Sequence, residues 1–336
     1  MSKAKFIISK KKALEQYGKV RNICDIVSYS SKTNPLISGI LEDNCDCMFS
    51  IHMVNELKNI RDMSRVIFLV QGCGAEMIKE LVSKGIKWFV VDNEKDLDEF
   101  VKYDGEKINL FLRINLKENT LKTERYFVFG IDSDVVNNKL RKLRDKFNFL
   151  GVHFHKKTQN IAEWDLINEF RDKIKEENMR YIDYVNVGGG LPSYYANTNV
   201  DVVDNILFKI EEFRKYLNGK NIKMIAEPGR FIAAPAGKLI TQVVRVYNNN
   251  IIVNASVYNS DMDALIVPVK LLVEGEGSGN PYVIKGITPC SMDLFRYKVY
   301  LKDVKEGDEI VFLNAGAYNF GSDFCDLDKL DVEIVD

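Results

Sequence analysis

The sequence predicts an α/β protein, a TIM-type (α/β)8 barrel followed by an all-β domain. Eight short apolar runs alternate with helix-period segments up to about residue 230. After Pro235 the texture changes to stretches rich in β-branched residues with weak helical periodicity. The chain has 336 residues, 46% hydrophobic and 28% charged, which is enough for two cores. An open doubly wound sheet also explains the alternation, but a count of eight favours closure.

Residues 1–20 are ambiguous, since "KFIIS" reads as a strand able to join the later β domain. The barrel is expected over 21–235. Its strands are read from "DIVSYS" (25–30), "CDCMFS" (45–50), "VIFLV" (66–70), "WFVV" (88–91), "INLFLRI" (108–114), "FLGVHFH" (149–155), "YVNVG" (184–188) and "IKMIAE" (222–227). Helices fill most of the gaps. In 160–178, Ala162, Leu166, Phe170 and Ile174 repeat every four residues with charges on the other faces. Residues 132–147 and 201–216 read alike. The β domain, 236–336, is built from "GKLITQVVRVYNNNIIVNASVYNS", "NPYVIKGITP", "YKVYLKDVKEGDEIVFLNAG" and "KLDVEIVD".

Net charge is −1, with a pI near 6.4, so neither nucleic acid nor an anionic membrane surface is expected as a partner. No apolar stretch approaches the roughly 20 residues of a membrane span, and the start lacks a signal-peptide core. Cys24, Cys45, Cys47, Cys73, Cys290 and Cys325 are scattered, which points to a reducing, cytoplasmic protein without a disulfide framework. Cys45 and Cys47 have no second pair at ligand spacing, so no metal is expected.

In such a barrel the active site lies at the C-terminal ends of the strands. Strand one is followed by Lys32, and strand two ends near Asp46 and Ser50. Strand five carries Arg113. Strand six ends in His153 and His155, strand seven in Gly188, Gly189 and Gly190, and strand eight in "AEPGR" with Glu227 and Arg230. Each has an ordinary reading. Lysines after strands are usually solvated, a triple glycine is usually a turn, and "EPGR" can be a turn with an ion pair. His153 and His155, two apart on a strand, would share a face and could bind a metal. Only His52 remains as a further histidine, too few for a His-rich site. Taken together, the set matches pyridoxal 5'-phosphate. A lysine can form a Schiff base, a carboxylate facing a ring nitrogen can keep that nitrogen protonated, and an imidazole can stack on the ring. Glycine amides and an arginine can cradle the phosphate, with no Cβ to hold it away.

Here the sequence resembles the alanine-racemase-like-fold decarboxylases that act on ornithine, arginine, lysine and diaminopimelate. "SYSSKTNP" resembles that family's Tyr-x-x-Lys segment, which implies that Lys32 holds the cofactor covalently. "GVHFHKKTQ" implies His155 on the cofactor ring and Thr158 near the phosphate. "VNVGGGLP" resembles the phosphate loop, and "AEPGRFIAAPAG", the most specific match, implies Glu227 at the ring nitrogen and Arg230 at the phosphate. "NAGAYNF" implies Tyr318 near the phosphate. Arg113 is grouped with the cofactor-binding residues. The resemblance further implies a homodimer with active sites at the interface.

The departures concern the substrate end. In "GITPCSMDLF" an ungapped match through Asp293 leaves Pro289 at the family's cysteine and Cys290 at its specificity position; a one-residue shift makes Cys290 the proton donor supplied by the partner. In "VNASVYNSDMDALIVP", Ala255 and Val267 stand where the family's usual substrate-binding acid and arginine fall. Asp261 or Asp263 is the expected replacement acid, with Asp293 also assigned to substrate. Lys156 and Lys157 alternatively suggest an anionic substrate. The implied activity is decarboxylation of a basic or diamino acid, or of a carboxylated polyamine, serving polyamine synthesis. The alternatives are racemisation on the same cofactor, or a cofactor-binding homologue without turnover.

Overall fold

The computed structural model describes residues 3–116, 128–161, 164–319 and 321–336. By its internal contacts the chain divides into two compact units: Tyr17–Leu191 with Asp201–Gly229, and Met1–Gln16 with Pro192–Val200 and Arg230–Asp336.

The first unit is a closed barrel of eight parallel strands. They are the second to ninth strands of the chain, after β1 (Lys5–Ser9): β2 (Ile26–Ser30), β3 (Met48–Ile51), β4 (Val66–Val70), β5 (Trp88–Val91), β6 (Asn109–Arg113), β7 (Leu150–His153), β8 (Tyr184–Asn186) and β9 (Lys223–Ala226). β9 pairs with β2 to close the ring. Short apolar runs form these strands because a barrel wall is buried on both faces. Ile67, Val90, Phe111, Tyr184 and Ile225 fill the interior, with Trp88 stacked on Phe111 and Phe149. Gly151 makes room for this filling, since a Cβ there would lie 2.5 Å from the Phe111 ring.

The barrel helices are α2 (Pro35–Asn44), α3 (Ala75–Ser83), α4 (Glu94–Lys102), α5 (Ser133–Leu143), α6 (Leu166–Lys173) and α7 (Val200–Asn218); α1 (Lys10–Ile23) precedes β2. The helix expected over 160–178 is shorter. Ala162 lies outside the described residues, and α6 stops at Lys173. The buried Asn137 of α5 intervenes, donating to the Lys173 carbonyl at 2.7 Å and accepting from the Lys175 N–H at 3.0 Å. A side chain thus takes the bonds that would continue the helix, and the chain resumes as a turn over Glu176–Tyr181.

The second unit is built on an eight-stranded sheet. Its remaining strands are β10 (Gly237–Tyr247), β11 (Asn250–Val253), β12 (Leu272–Val273), β13 (Asn280–Lys285), β14 (Leu294–Leu301), β15 (Glu309–Leu313) and β16 (Asp331–Val335). β1 lies between β10, to which it is antiparallel, and β16, to which it is parallel. Three short helices belong here: α8 (Arg230–Ala236), α9 (Val257–Ser260) and α10 (Asp263–Ile266). The sequence places α8 with the barrel and a boundary at 235; by contacts α8 and residues 192–200 go with the sheet. The reason is close backbone approach, because the Gly316 N–H donates to the Ala234 carbonyl and a Cβ on Gly316 would lie 2.0 Å from the Ala233 oxygen. Among the described residues no helix is long and apolar enough to cross a membrane.

Candidate active site

Lys32 is placed by its neighbours. β2 ends at Ser30, Ser31–Thr33 form a single tight turn, and Asn34 caps α2 by accepting from the Leu36 N–H, with Pro35 first in the helix. Gly229 permits this turn, since a Cβ there would sit 2.1 Å from Thr33 Oγ1. The Lys32 Nζ lies 3.0 Å from His52 Nε2, one residue beyond β3. Lys32 is open to the barrel mouth, yet protein surrounds its amine. That burial lowers its pKa; Glu227 and Glu56 pull upward and Arg113 adds to the lowering.

Glu227 follows β9 and is 3% exposed. Its Oε1 accepts from Asn186 Nδ2 at 2.9 Å, and its Oε2 lies 3.4 Å from His153 Nε2. Burial alone would raise its pKa. The electrostatic influence and hydrogen bond of His153, followed by His155 and Asn186, outweigh burial and hold Glu227 well below the usual carboxylate range. It is therefore an ionised carboxylate in a dry setting.

The strand alternation expected to put His153 and His155 on one face does not reach His155. β7 ends at His153, which is wholly buried, whereas His155 lies past the strand and is exposed at the mouth. His155 Nδ1 accepts from the Gly189 N–H at 3.0 Å, which puts the proton of the neutral ring on Nε2. The site holds the ring neutral with a pKa of about 3. Burial in the concave mouth is the main cause, Glu227 opposes it, and Arg113, His153 and Lys32 add to it.

The glycine loop has a packing reason to be bare beside the one the sequence suggests. A Cβ on Gly188 would lie 2.3 Å from the Phe154 carbonyl oxygen, on Gly189 2.7 Å from the Glu227 oxygen, and on Gly190 2.9 Å from the Lys156 and Lys157 oxygens. Gly188 and Gly190 also have positive φ, +63° and +100°. The glycines let three strand ends converge. Two of their amides are already used: Gly188 N–H donates to Asn186 Oδ1 at 2.8 Å and Gly189 N–H to His155.

Arg113 donates to Asp92 at 2.8 Å and covers the Phe129 ring. Thr158 lies half-buried in the loop after β7. Lys156 does not await an anionic substrate: it is 6% exposed, paired with Glu169 at 2.5 Å and set over Trp164.

Within the sheet unit, Arg230 opens α8 and is 3% exposed. It forms a two-pronged pair with Asp263, Nη2 to Oδ1 at 3.0 Å, donates to the Tyr195 hydroxyl at 3.0 Å, and lies over the Tyr318 ring. Asp261 is 1% exposed with neither carboxylate oxygen hydrogen-bonded among the described residues, and burial, then the Asp263 charge, raises its pKa well above the ordinary carboxylate value. As placed, Asp263 is committed to Arg230, and burial disfavours the charged form of Asp261, so neither is a freely available negative charge for a substrate amine. Asp293 is likewise consumed, accepting from the N–H groups of Val257 and Thr288 and from the Thr288 hydroxyl. Cys290 Sγ lies 3.2 Å from the Tyr258 hydroxyl, and the Tyr258 ring stacks on Phe324.

The barrel mouth thus collects an amine, an ionised buried carboxylate and a neutral imidazole, a donor set that fits the ring of pyridoxal phosphate. His52, Asn186 and Tyr258 were not singled out from sequence. His52 had a signal, lying two residues after the second apolar run; Asn186 stood as the one polar residue inside "YVNVG".

Comparisons with known proteins agree with this geometry. Residues 26–234 match the family model described as "Pyridoxal-dependent decarboxylase, pyridoxal binding domain". A probable ornithine decarboxylase of Dictyostelium discoideum is 25% identical, over 90% of this chain and 72% of that protein. A diaminopimelate decarboxylase of Vibrio cholerae is 27% identical, over 88% and 77%. Among solved structures, a lysine/ornithine decarboxylase from Vibrio vulnificus complexed with cadaverine superposes with a TM-score of 0.82 at 18% identity, covering 99% of this chain and 94% of that one. The Paramecium bursaria Chlorella virus arginine decarboxylase bound to agmatine gives 0.80 at 20% identity, covering 100% and 96%. With the barrel, the mouth and the family match in agreement, this chain belongs to the pyridoxal-dependent decarboxylases and is a pyridoxal 5'-phosphate-dependent amino-acid carboxy-lyase.

Proposed function

We propose that the substrate is a basic or diamino acid, or a carboxylated polyamine, decarboxylated at Cα to release CO2 and an amine. The observation that carries the decarboxylation chemistry is the buried Glu227, bonded by Asn186 and next to His153 at the barrel mouth that also holds Lys32. When bound, pyridoxal phosphate accepts the electron pair left by the departing carboxyl group. Lys32 supplies the amine that binds the cofactor carbonyl. Glu227 holds a proton on the ring nitrogen, and His155, neutral and oriented by Gly189, offers a flat face to the ring. The loop Gly188–Gly190, Thr158, Arg230 and Tyr318 keep their motif assignment to the phosphate, and Arg113 its place among the cofactor-binding residues. Gly188 and Gly189 serve it through shape, because their amides are used within the protein. Cys290 returns a proton to Cα.

The names of the relatives support the substrate class: they span ornithine, diaminopimelate, lysine and arginine decarboxylases. We assign the protein to polyamine synthesis in the cytoplasm; all six cysteines are unbridged, as a reducing compartment requires. We also assign it to a homodimer with shared sites. The surface beside Cys290 supports this, since a cavity of about 660 Å³ lined by Tyr247, Ile287, Cys290 and Tyr297 includes three large side chains left exposed.

Reduction of the cofactor-loaded protein with borohydride, followed by peptide mass spectrometry, is expected to place the pyridoxyl mass on Lys32. Purified protein is then offered diamino acids, arginine, diaminopimelate and carboxylated polyamines, and CO2 is measured. A label on another lysine would remove Lys32 from the reaction; CO2 from none of these compounds would remove the substrate class.

A further inference from the structure

We propose that His52 is a positioning residue for Lys32: its Nε2–H donates to the lone pair of the Lys32 amine and holds that amine as a free base in the barrel mouth. The inference rests on the reading of Lys32 as the cofactor-binding lysine. It starts from two facts. His52 Nε2 is 3.0 Å from Lys32 Nζ. The other ring nitrogen, Nδ1, is buried and has no hydrogen-bond partner among the described residues.

A neutral imidazole carries one N–H. On Nδ1, that hydrogen would be an orphaned donor inside the protein; on Nε2, only a lone pair is left unmatched. Orphaned buried N–H donors are the rarer of the two. The hydrogen therefore belongs on Nε2, facing Lys32. That bond needs a lone pair on the amine nitrogen, which the free base has and the ammonium lacks. With an ammonium, donor would face donor.

The surroundings fit one uncharged pair. Burial is the main cause that lowers the His52 pKa to about 3; Lys32, whenever it is an ammonium, lowers it further, as do His153 and Arg113, with Glu227 opposing. His52 is thus uncharged in either state of Lys32. The charged and titratable groups bearing on Lys32 are Glu227 after β9, Glu56 in the turn after β3, and Arg113 at the end of β6. The two carboxylates favour the ammonium, whereas burial, Arg113 and the His52 donor favour the amine. Glu56 also fixes His52 in place, since its Oε1 accepts from the N–H groups of His52 and Met53 at 3.1 and 2.9 Å. A nucleophilic amine must be uncharged, and a group that removes the cost of deprotonation raises the fraction ready to react.

The test uses cofactor-free protein labelled with trace acetic anhydride between pH 6 and 11, with acetylation of each lysine read by peptide mass spectrometry. Wild type is compared with His52→Gln and His52→Leu. The titration midpoint of Lys32 is expected to rise in both variants, so that its acetylation at pH 7.5 falls about tenfold, the effect of one pKa unit. The measure is Lys32 relative to the other lysines of the same sample, which cancels a general loss of structure. An unchanged or lowered midpoint in both variants overturns the proposal. The borohydride experiment separates the two readings: a pyridoxyl group on another lysine removes the cofactor role of Lys32, whereas acetylation judges the His52 hydrogen bond by itself.

Discussion

Glu227 illustrates how single residues set this chemistry. A carboxylate 3% exposed would ordinarily take up a proton, and here Asn186 and His153 keep it charged. Glu227→Gln keeps the shape but removes the charge that holds a proton on the ring nitrogen. CO2 release is expected to fall by about two orders of magnitude or more with the cofactor still bound, measured as kcat alongside cofactor absorbance. Cys290 gives a pH-dependent counterpart. The Tyr258 hydroxyl, foremost, lowers the thiol pKa, while the tyrosine's own rises to about 12. In Tyr258→Phe the thiol should titrate at higher pH, so its alkylation by iodoacetamide at pH 7.5 slows about three- to tenfold. The Cys290 peptide is followed by mass spectrometry across pH, and an unmoved profile would show that the hydroxyl does not govern the thiol. The placing of Lys32, Glu227 and His155 at strand ends was legible in the sequence because each ends or closely follows an apolar run. Commitments made across the fold were not. Asp263 meets Arg230 from 33 positions away and Asp293 meets Val257 from 36, so the partners that consume these carboxylates leave no local pattern.

Among the elements, the glycine loop after β8 shows how a motif can carry a packing role beside the one its sequence suggests. Its glycines permit close approach of backbone to backbone, a contact between strands that a one-dimensional pattern does not display. Gly189→Ala would drive a Cβ to 2.7 Å from the Glu227 carbonyl and 3.1 Å from His155 Cε1. We expect a loss of about 1–3 kcal/mol, measured by urea denaturation, with weaker retention of the cofactor. The eight barrel strands were legible because each apolar run is too short for a helix and buried on both faces. α6 was over-read because the four-residue spacing of its apolar residues continues where Asn137 interrupts the hydrogen bonds. Periodicity records which face is buried and says nothing of a side chain that competes for the backbone.

For the whole molecule, the dimer assignment has a functional test. If the catalytic thiol comes from the neighbouring copy, Lys32→Ala and Cys290→Ser are each inactive as pure dimers. Mixed and reassociated, they form heterodimers in which one of the two sites is intact. Statistical mixing gives half heterodimers, hence about a quarter of wild-type activity. No recovery on mixing would mean that each chain uses its own cysteine. The ordering of the sheet carries a further consequence. β1 is flanked by β10 and β16, so residues 5–9 meet partners as far along as 331–335, while the barrel needs nothing beyond Gly229. During translation the barrel can close first, and β1, made before either of its neighbours, must wait for the ribosome to deliver both. Until then it is an unpaired edge, the species a chaperone would be expected to shelter, and refolding should show a slow step set by closing a loop of more than three hundred residues.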